Sequence, residues 1–249
     1  MKLSAVIIAR NAEDTIADAI SSSSFVDEVV VIDGNSSDKT PQISKQHGAH
    51  VYSLDSDNFS EMRNYGIEKA KGEWILYVDS DEKITDVLRK NILSAVNKHN
   101  SFAAYRILRK NFYLGNYEWP HIEKLERLFK KENLKKWYGQ LHESPLVDGK
   151  IGELEGYLLH FSHRDLSSML SKTIEWSKVE ADLRLKANHP HMTWWRFPRV
   201  MIQAFFNSYI LQKGWKVGTA GIIESIYQAF SMFITYARLW EMQEKKKSS

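Results

Sequence analysis

A regular alternation of apolar runs and segments with helical spacing constrains the fold of the first hundred residues. Continuous apolar runs are typical of buried strands, and glycines at 48 and 72 stop two of the helical segments. The predicted strands are Leu3–Ile8, Glu28–Ile32, Val51–Leu54 and Trp74–Val78, and the predicted helices lie in 11–20, 39–48, 59–71 and 85–97. This alternation favours an α/β fold, Rossmann-like, with a mostly parallel sheet flanked by helices.

Acidic side chains follow two of the predicted strands. Asp33 follows the second strand, and the run Asp79-Ser80-Asp81-Glu82 follows the fourth. Ligands of such sheets bind at the carboxyl ends of strands. Asp79 and Asp81 are alternate residues of a short turn, so both carboxylates can lean toward one ion, and hard oxygen ligands suit Mg²⁺ or Mn²⁺. The alternative is a solvated acidic loop that caps the next helix.

The composition and the missing motifs exclude several classes of enzyme. Cysteine is absent, which excludes zinc–thiolate sites, iron–sulfur clusters and thiol catalysis and is compatible with a reducing, cytoplasmic compartment. The sequence has neither the glycine-rich fingerprint of dinucleotide-binding folds nor a phosphate-binding P-loop. Dinucleotide oxidoreductases and P-loop phosphotransferases are therefore disfavoured.

The charge is divided unevenly along the chain. Residues 1–165 carry 22 basic and 25 acidic side chains, a charge of −3, and residues 166–249 carry 12 and 6, a charge of +6, which together give the net +3. The basic end is also rich in tryptophan, and an apolar stripe recurs at helical spacing: Ile222, Ile226, Phe230, Phe233, Ala237 and Trp240.

This basic, amphipathic, helical extension predicts attachment to an anionic membrane surface, in which Arg196, Arg199, Lys213 and Lys216 contact headgroups. The location expected is peripheral, on the inner face of the cytoplasmic membrane. Two alternatives stay open, namely packing on the core of the protein and packing on a second subunit in a homo-oligomer. No nucleic-acid partner is expected, because no nucleic-acid motif is present.

Four motifs in order resemble glycosyltransferase family 2, whose catalytic domain has the GT-A fold. They are L-S-A-V-I-I-A-R-N at 3–11, V-V-V-I-D-G-N-S-S-D-K-T at 29–40, R-N-Y-G-I-E-K-A-K-G-E-W at 63–74 and Y-V-D-S-D-E at 77–82. The second half is similar to the branch of bacterial lipopolysaccharide inner-core β-1,4-glucosyltransferases, through R-L-F at 127–129, L-H-E at 141–143, L-L-H-F at 158–161 and the C-terminal R-L-W-E.

The resemblance implies transfer of a sugar from a nucleotide-sugar, usually a UDP-sugar, with inversion at the anomeric carbon. By position it places Ala9, Asn11 and Glu13 beside the uridine, Asp33 on uracil or ribose, and Arg63 near the base and diphosphate. It also implies that Asp79 contacts ribose or the metal, that Asp81 holds the metal, and that His160 completes the metal shell. The first loop departs from the family, since Ala9-Arg10 stands where many relatives have proline followed by threonine or serine.

Inversion needs a general base that takes a proton from the acceptor hydroxyl. The counterpart of the family's catalytic Glu-Asp pair is His142-Glu143, so Glu143 is the predicted base and His142 orients it or touches the acceptor. The alternative for Glu143 is a structural salt bridge with a Lys or Arg. Arg127 either approaches phosphate or acceptor, or pairs with Glu123 or Glu126.

We expect three parts of the chain: a nucleotide-sugar-binding half at 1–115, an acceptor-binding half at 116–165 and the helical extension at 166–249. The expected acceptor is a lipid-linked or surface glycan. Trp119, Trp137 and Tyr138 either stack on acceptor sugars or pack in the core. Two other functions stay open, a nucleotidyltransferase that uses the same carboxylate–metal site and a non-catalytic membrane-associated scaffold.

Overall fold

Four parallel strands form one half of the main sheet. In the computed structural model, which describes residues 1–98, 101–139 and 143–247, they are β1 (Leu3–Ala9), β2 (Glu28–Asp33), β3 (His50–Ser53) and β4 (Trp74–Asp79). Their order is β3-β2-β1-β4, and all three pairings are parallel. Every residue of β1 is buried, as expected of a strand covered on both faces. The predicted strands are confirmed.

Four helices connect or follow these strands. They are α1 (Ile16–Ser22), α2 (Thr40–Gln46), α3 (Phe59–Lys69) and α4 (Asp86–Asn97). The prediction that the first helix begins near Asn11 is wrong. Asn11 has a positive φ of 50°, and the amides of residues 11–13 donate to side chains of the loop after β2 and of Thr40 at the start of α2 rather than to helical carbonyls.

Four further strands complete the main sheet. They are β5 (Glu82–Ile84), β6 (Phe102–Tyr113), β7 (Tyr117–Lys130) and β10 (Lys150–His163), and the sheet continues from β4 in the order β7-β6-β10-β5. In this sheet β7 is antiparallel to β4, and β10 is antiparallel to β5. A separate two-stranded sheet pairs β8 (Leu134–Tyr138) with β9 (Ser144–Val147).

The chain divides into two compact units, of which the first is Met1–Lys110 with Ile122–His160. Its core lies on both faces of the sheet. Ala5 and Ile7 of β1 belong to one apolar cluster, and Val6 and Ile8 belong to the other. This alternation follows from the two-residue period of a strand.

Helix α3 approaches β1 closely through Gly66. A Cβ atom at this position would lie 2.4 Å from the Val6 Cγ1 atom, so a larger residue cannot be accommodated without movement. Arg63 lies three residues earlier on the same helical face and is also buried. The close approach therefore brings a buried guanidinium against the sheet.

The second unit comprises Asn111–His121 and the chain from Phe161 onward. Its helices are α5 (Leu166–Lys186), α6 (Arg196–Phe206) and α7 (Gly218–Lys247), with a π-helical turn at Asn207–Leu211 and a 3₁₀ turn at Gly214–Val217 between the last two. The predicted helical extension is confirmed. Within the part of the chain that the structure describes, one helical stretch, Gly214–Lys247, is long and apolar enough to cross a membrane when judged by length and composition alone.

Candidate active site at the strand ends

Asp33 and Asp79 end the two strands that flank β1. In the register of the sheet, Asp33 lies opposite Ala9 and Asp79 lies opposite Ile8. The two carboxylate-bearing residues are thus separated by two strand spacings, about 10 Å. The expectation that both lie at the carboxyl edge of the sheet is confirmed by the strand bounds.

Side-chain hydrogen bonds hold the loop after β1 to the loop after β2. The Asn11 amide donates to the Ser36 Oγ atom at 2.9 Å, and the Ser37 amide donates to the Asn11 Oδ1 atom at 2.8 Å. The Lys39 amide donates to a Glu13 carboxylate oxygen at 3.1 Å. Asn11 and Glu13, two of the predicted uridine contacts, therefore shape the edge of the site beside Asp33.

One oxygen of Asp33 is held open for a donor. Asp33 is buried, and its Oδ2 atom accepts from the Ser36 amide at 3.2 Å. Its Oδ1 atom is buried without a hydrogen-bond partner among the residues that the structure describes. A buried acceptor without a partner is costly, so this oxygen fits a ligand that brings an N–H or O–H group.

Arg63 joins Asp79 to Glu143. Its Nη2 atom donates to the Asp79 Oδ1 atom at 2.8 Å, and its Nε atom donates to the Glu143 Oε1 atom at 2.9 Å. The guanidinium lies over the rings of Trp137, at 4.8 Å, and Tyr77, at 5.3 Å. One buried arginine therefore links Asp79, predicted to contact ribose or the metal, to Glu143, the predicted base. The salt bridge that was the alternative interpretation of Glu143 is present.

Two further arginines enclose Asp79. Arg127 donates to both Asp79 oxygens and to Glu82, whose side chain is fully buried. Arg109 donates to Glu82 at 3.1 Å and to Glu123 at 2.7 Å. The alternative in which Arg127 pairs with Glu123 or Glu126 is wrong, and its approach to phosphate or acceptor stays a prediction. The sequence analysis did not predict the roles of Arg109 and Glu82. The sequence signal for these contacts is weak. Glu82 belongs to the acidic run after β4, but Arg109 and Arg127 lie in β6 and β7, far from that run in the sequence.

Asp79 and Arg127 stabilise each other's charged forms. Burial opposes the charged form of Asp79, but Arg127, Arg63 and Arg109 outweigh it and hold the pKa of Asp79 well below its usual range. Burial likewise opposes the charge of Arg127, and the carboxylates of Asp79 and Glu82 outweigh it and raise the pKa of Arg127. Both groups are therefore ionised at neutral pH.

Asp81 and His160 form a pair next to this cluster. The His160 Nε2 atom lies 3.3 Å from the Asp81 Oδ1 atom, and β10 pairs with β5 at His160 and Glu82. Burial lowers the pKa of His160, but the Asp81 carboxylate outweighs it and raises that pKa above its usual value. Among the residues described, no group of three or more His, Asp and Glu side chains is placed to hold a metal ion.

The remaining predicted residues are distributed as follows. Ala9 is buried at the end of β1. His142 lies outside the described residues. Trp119 and Trp137 are buried, as the packing interpretation expects, and Tyr138 is 53% exposed. Within the first unit the structure therefore brings together Asp33, Arg63, Asp79, Asp81, Glu143 and His160 at or beside the carboxyl edge of the parallel strands.

The family model for glycosyl transferase family 2 matches residues 4–145, which is more than half of the chain. The chain belongs to glycosyl transferase family 2. The matched region includes both strand-end aspartates, Arg63 and Glu143, so the resemblance predicted from the four motifs is confirmed.

Relatives of this family 2 chain match over nearly its whole length. An uncharacterized glycosyltransferase of Rickettsia typhi is 27% identical and covers 99% of this chain and 89% of the relative. The lipopolysaccharide core biosynthesis glycosyltransferase LpsC of Rhizobium meliloti is 22% identical, and the match covers 99% of this chain and 94% of LpsC. Among solved structures, TarS of S. aureus is 17% identical with a TM-score of 0.49 and covers 92% of this chain and 55% of TarS.

Proposed function

We propose that this family 2 glycosyltransferase moves a hexose from a UDP-sugar to an acceptor hydroxyl with inversion at the anomeric carbon. One observation carries the donor assignment. Asp33 offers a buried oxygen without a partner, and two strand spacings away three arginines surround Asp79. A nucleoside diphosphate fits this arrangement, with its base or ribose donating to Asp33 and its diphosphate meeting the guanidinium groups.

Ala9, Asn11 and Glu13 are the proposed neighbours of the uridine, because they lie at the end of β1 or in the loop tied to the Asp33 loop. Arg63 is the proposed diphosphate contact. Its Nη1 atom is buried without a partner among the described residues, so this atom has two N–H groups to offer ligand oxygens.

Glu143 is the proposed general base, with His142 beside it in sequence. The Glu143 carboxylate takes the proton of the acceptor hydroxyl, the hydroxyl oxygen bonds to the anomeric carbon, and UDP leaves with the electron pair of the broken glycosidic bond. The hydrogen bond from Arg63 orients the Glu143 carboxylate.

A divalent ion is the proposed cofactor, Mg²⁺ or Mn²⁺. Asp81 and His160 would hold it together with Asp79, and the ion would neutralise the leaving diphosphate. The donor set fits such an ion in part, since Mg²⁺ sites that act on phosphates use one or two carboxylates and take other ligands from the substrate.

The proposed acceptor is a lipid-linked or surface glycan, such as a lipopolysaccharide core, reached from the cytoplasmic face of the membrane. The similarity to LpsC, a lipopolysaccharide core biosynthesis glycosyltransferase, supports this class of acceptor. We assign donor binding to residues 1–115 and acceptor binding to 116–165, with the basic extension at 166–249.

Calorimetric titration of UDP tests the donor and metal assignments. We expect UDP to bind in the presence of Mn²⁺ and to bind more weakly in EDTA. Asp81→Asn should remove the difference between the two conditions, whereas Asp86→Asn, at an exposed carboxylate at the start of α4, should keep it. If UDP binds in neither condition, the donor assignment fails, and a nucleotidyltransferase or a non-catalytic scaffold becomes the better explanation.

Glu143→Gln tests the base. The variant should keep its affinity for UDP and lose at least about 100-fold in the rate of sugar transfer, the usual contribution of a general base. Glu126→Gln is the matched control, because Glu126 also pairs with an arginine, Arg106. Transfer by Glu143→Gln at the rate of the control would place the base elsewhere.

A further inference from the structure

Residues 194–216 of the second unit, called here the aromatic arm, expose an unusual amount of apolar surface. Helix α6, all of whose residues the structure describes, has no buried residue. Trp194 alone is 83% exposed. Other large apolar side chains of the arm that are exposed are Trp195, Ile202, Phe206, Ile210, Leu211 and Trp215. Such a surface marks an interaction site.

The charge around this surface has one sign. The arm contains no acidic residue and four basic ones: Arg196, Arg199, Lys213 and Lys216. A surface that is both apolar and purely basic complements a partner that is apolar inside and anionic at its boundary. A bilayer with anionic headgroups has this combination.

Basic groups and indole rings are paired in the arm. The Arg196 guanidinium lies 5.2 Å from the centre of the Trp195 ring, and the Arg199 guanidinium lies 6.0 Å from it. The Lys216 ammonium lies 5.5 Å from the Trp215 ring. Tryptophan flanked by long basic side chains suits the headgroup region, where rings enter the apolar boundary and charges reach phosphates.

The inner side of the arm is fixed to the rest of the unit. The hydroxyls of Ser208 and Ser225 lie 3.0 Å apart, and both residues are buried. Gly214 permits close contact, since a Cβ atom there would lie 2.6 Å from the Trp119 ring. The exposed rings therefore extend from a supported backbone.

Helix α7 is better explained as this support than as a membrane span. Its Glu224, Ser225 and Thr235 are buried within the unit, and the Tyr227 hydroxyl lies 2.6 Å from the Thr173 Oγ1 atom of α5. These polar contacts to neighbouring elements would be lost if the helix were surrounded by lipid.

We propose that the aromatic arm docks flat on a bilayer that contains anionic lipid, with Trp194, Trp195 and Trp215 entering the boundary between headgroups and acyl chains. The inference deepens the proposed cytoplasmic-face location and rests on it. It keeps the four basic residues expected from the sequence and adds the tryptophans of the arm to the apolar contact expected of the α7 stripe, of which Ile226, Phe230, Phe233 and Trp240 are exposed.

Sedimentation with vesicles tests the arm in the full-length chain. We expect binding to vesicles of phosphatidylglycerol and phosphatidylethanolamine, weaker binding in high salt, and little binding to phosphatidylcholine. Replacing Arg196, Arg199, Lys213 and Lys216 with Gln should weaken binding about fivefold per charge. The control replaces four exposed lysines of the first unit with Gln: Lys90, Lys135, Lys136 and Lys150. Equal losses of vesicle binding in both variants would show that only the net charge of the protein matters, and would overturn the proposal.

Trp194→Ser tests insertion, with Tyr138→Ser, at an exposed aromatic of the first unit, as its control. Only the Trp194 variant should lose vesicle binding. The opposite outcome is that wild-type protein does not bind vesicles, is a dimer by light scattering, and becomes a monomer with Trp194→Ser. The arm would then be an interface between copies, and the lipid proposal would be wrong. UDP titration of each variant distinguishes this proposal from the donor assignment. Absence of UDP binding would contradict the donor assignment, whereas absence of vesicle binding would contradict only the role of the aromatic arm.

Discussion

Replacing Arg63 with methionine tests whether one buried guanidinium holds the candidate site together. The side chain is 3% exposed and pairs with Asp79 and Glu143, each at 2.8 Å. Methionine keeps much of the volume and the apolar contact with Trp137 and Tyr77 but removes the charge. The variant therefore leaves Glu143 without its guanidinium, while Asp79 still has Arg127.

The expected loss of folding stability in Arg63→Met is large. Removing one partner of a buried ion pair costs about 3–5 kcal/mol, because a charge stays buried without compensation. For a chain of this size about 1 kcal/mol shifts the unfolding midpoint by roughly 2–4 °C. We therefore expect Arg63→Met to lower the midpoint by about 6–20 °C at neutral pH.

Arg106→Met is the matched control. Arg106 pairs with Glu126, but its side chain is 48% exposed, and a pair of this kind contributes about 1 kcal/mol or less. Circular dichroism melts of both variants and the wild type give the comparison. A midpoint for Arg63→Met within about 4 °C of that for Arg106→Met would refute the structural role assigned to the buried guanidinium.

Two further predictions concern the donor edge of the site. Asp33→Asn should weaken UDP binding roughly tenfold to 150-fold in calorimetry, the usual value of a hydrogen bond to a charged group, while the exposed control Asp148→Asn should not. Burial raises the pKa of Asp38, but hydrogen bonds from Thr40 and from backbone amides outweigh it and lower that pKa. Asp38 therefore stabilises the fold above about pH 4, and the gap in melting midpoint between wild type and Asp38→Asn should close as pH falls below that value; a gap that stays constant to pH 3 would contradict this.

The parallel half of the sheet could be predicted because its signal is local. Strands β1, β2 and β4 are continuous apolar runs, and each is followed within a few residues by a polar turn. The long strands β6, β7 and β10 carry no such signal. β7, for example, mixes buried Trp119 and Phe129 with exposed charges along 14 residues, so neither a continuous run nor a strict alternation marks it.

The same distinction applies to the site. Asp33 and Asp79 could be predicted because a carboxylate at the end of a buried strand is visible in the sequence. The partners of Asp79 could not, since Arg127 lies 48 residues away and reaches it only through the antiparallel pairing of β7 with β4. The register of β7 on β4 cannot be read from a sequence pattern. Glu123 and Glu126 are closer to Arg127 in the sequence, but they are not its partners in the structure.

The charge balance of the cluster links this packing to the proposed chemistry. Arg63, Arg109 and Arg127 face four carboxylates, those of Asp79, Glu82, Glu123 and Glu143. A bound diphosphate adds further negative charge, so the guanidinium groups cannot neutralise both the carboxylates and the ligand. A divalent cation beside Asp81 would offset part of this excess of negative charge, which is the electrostatic reason to expect UDP and the metal to bind together rather than separately. UDP should then raise the apparent affinity for Mn²⁺ by the same factor by which Mn²⁺ raises that for UDP.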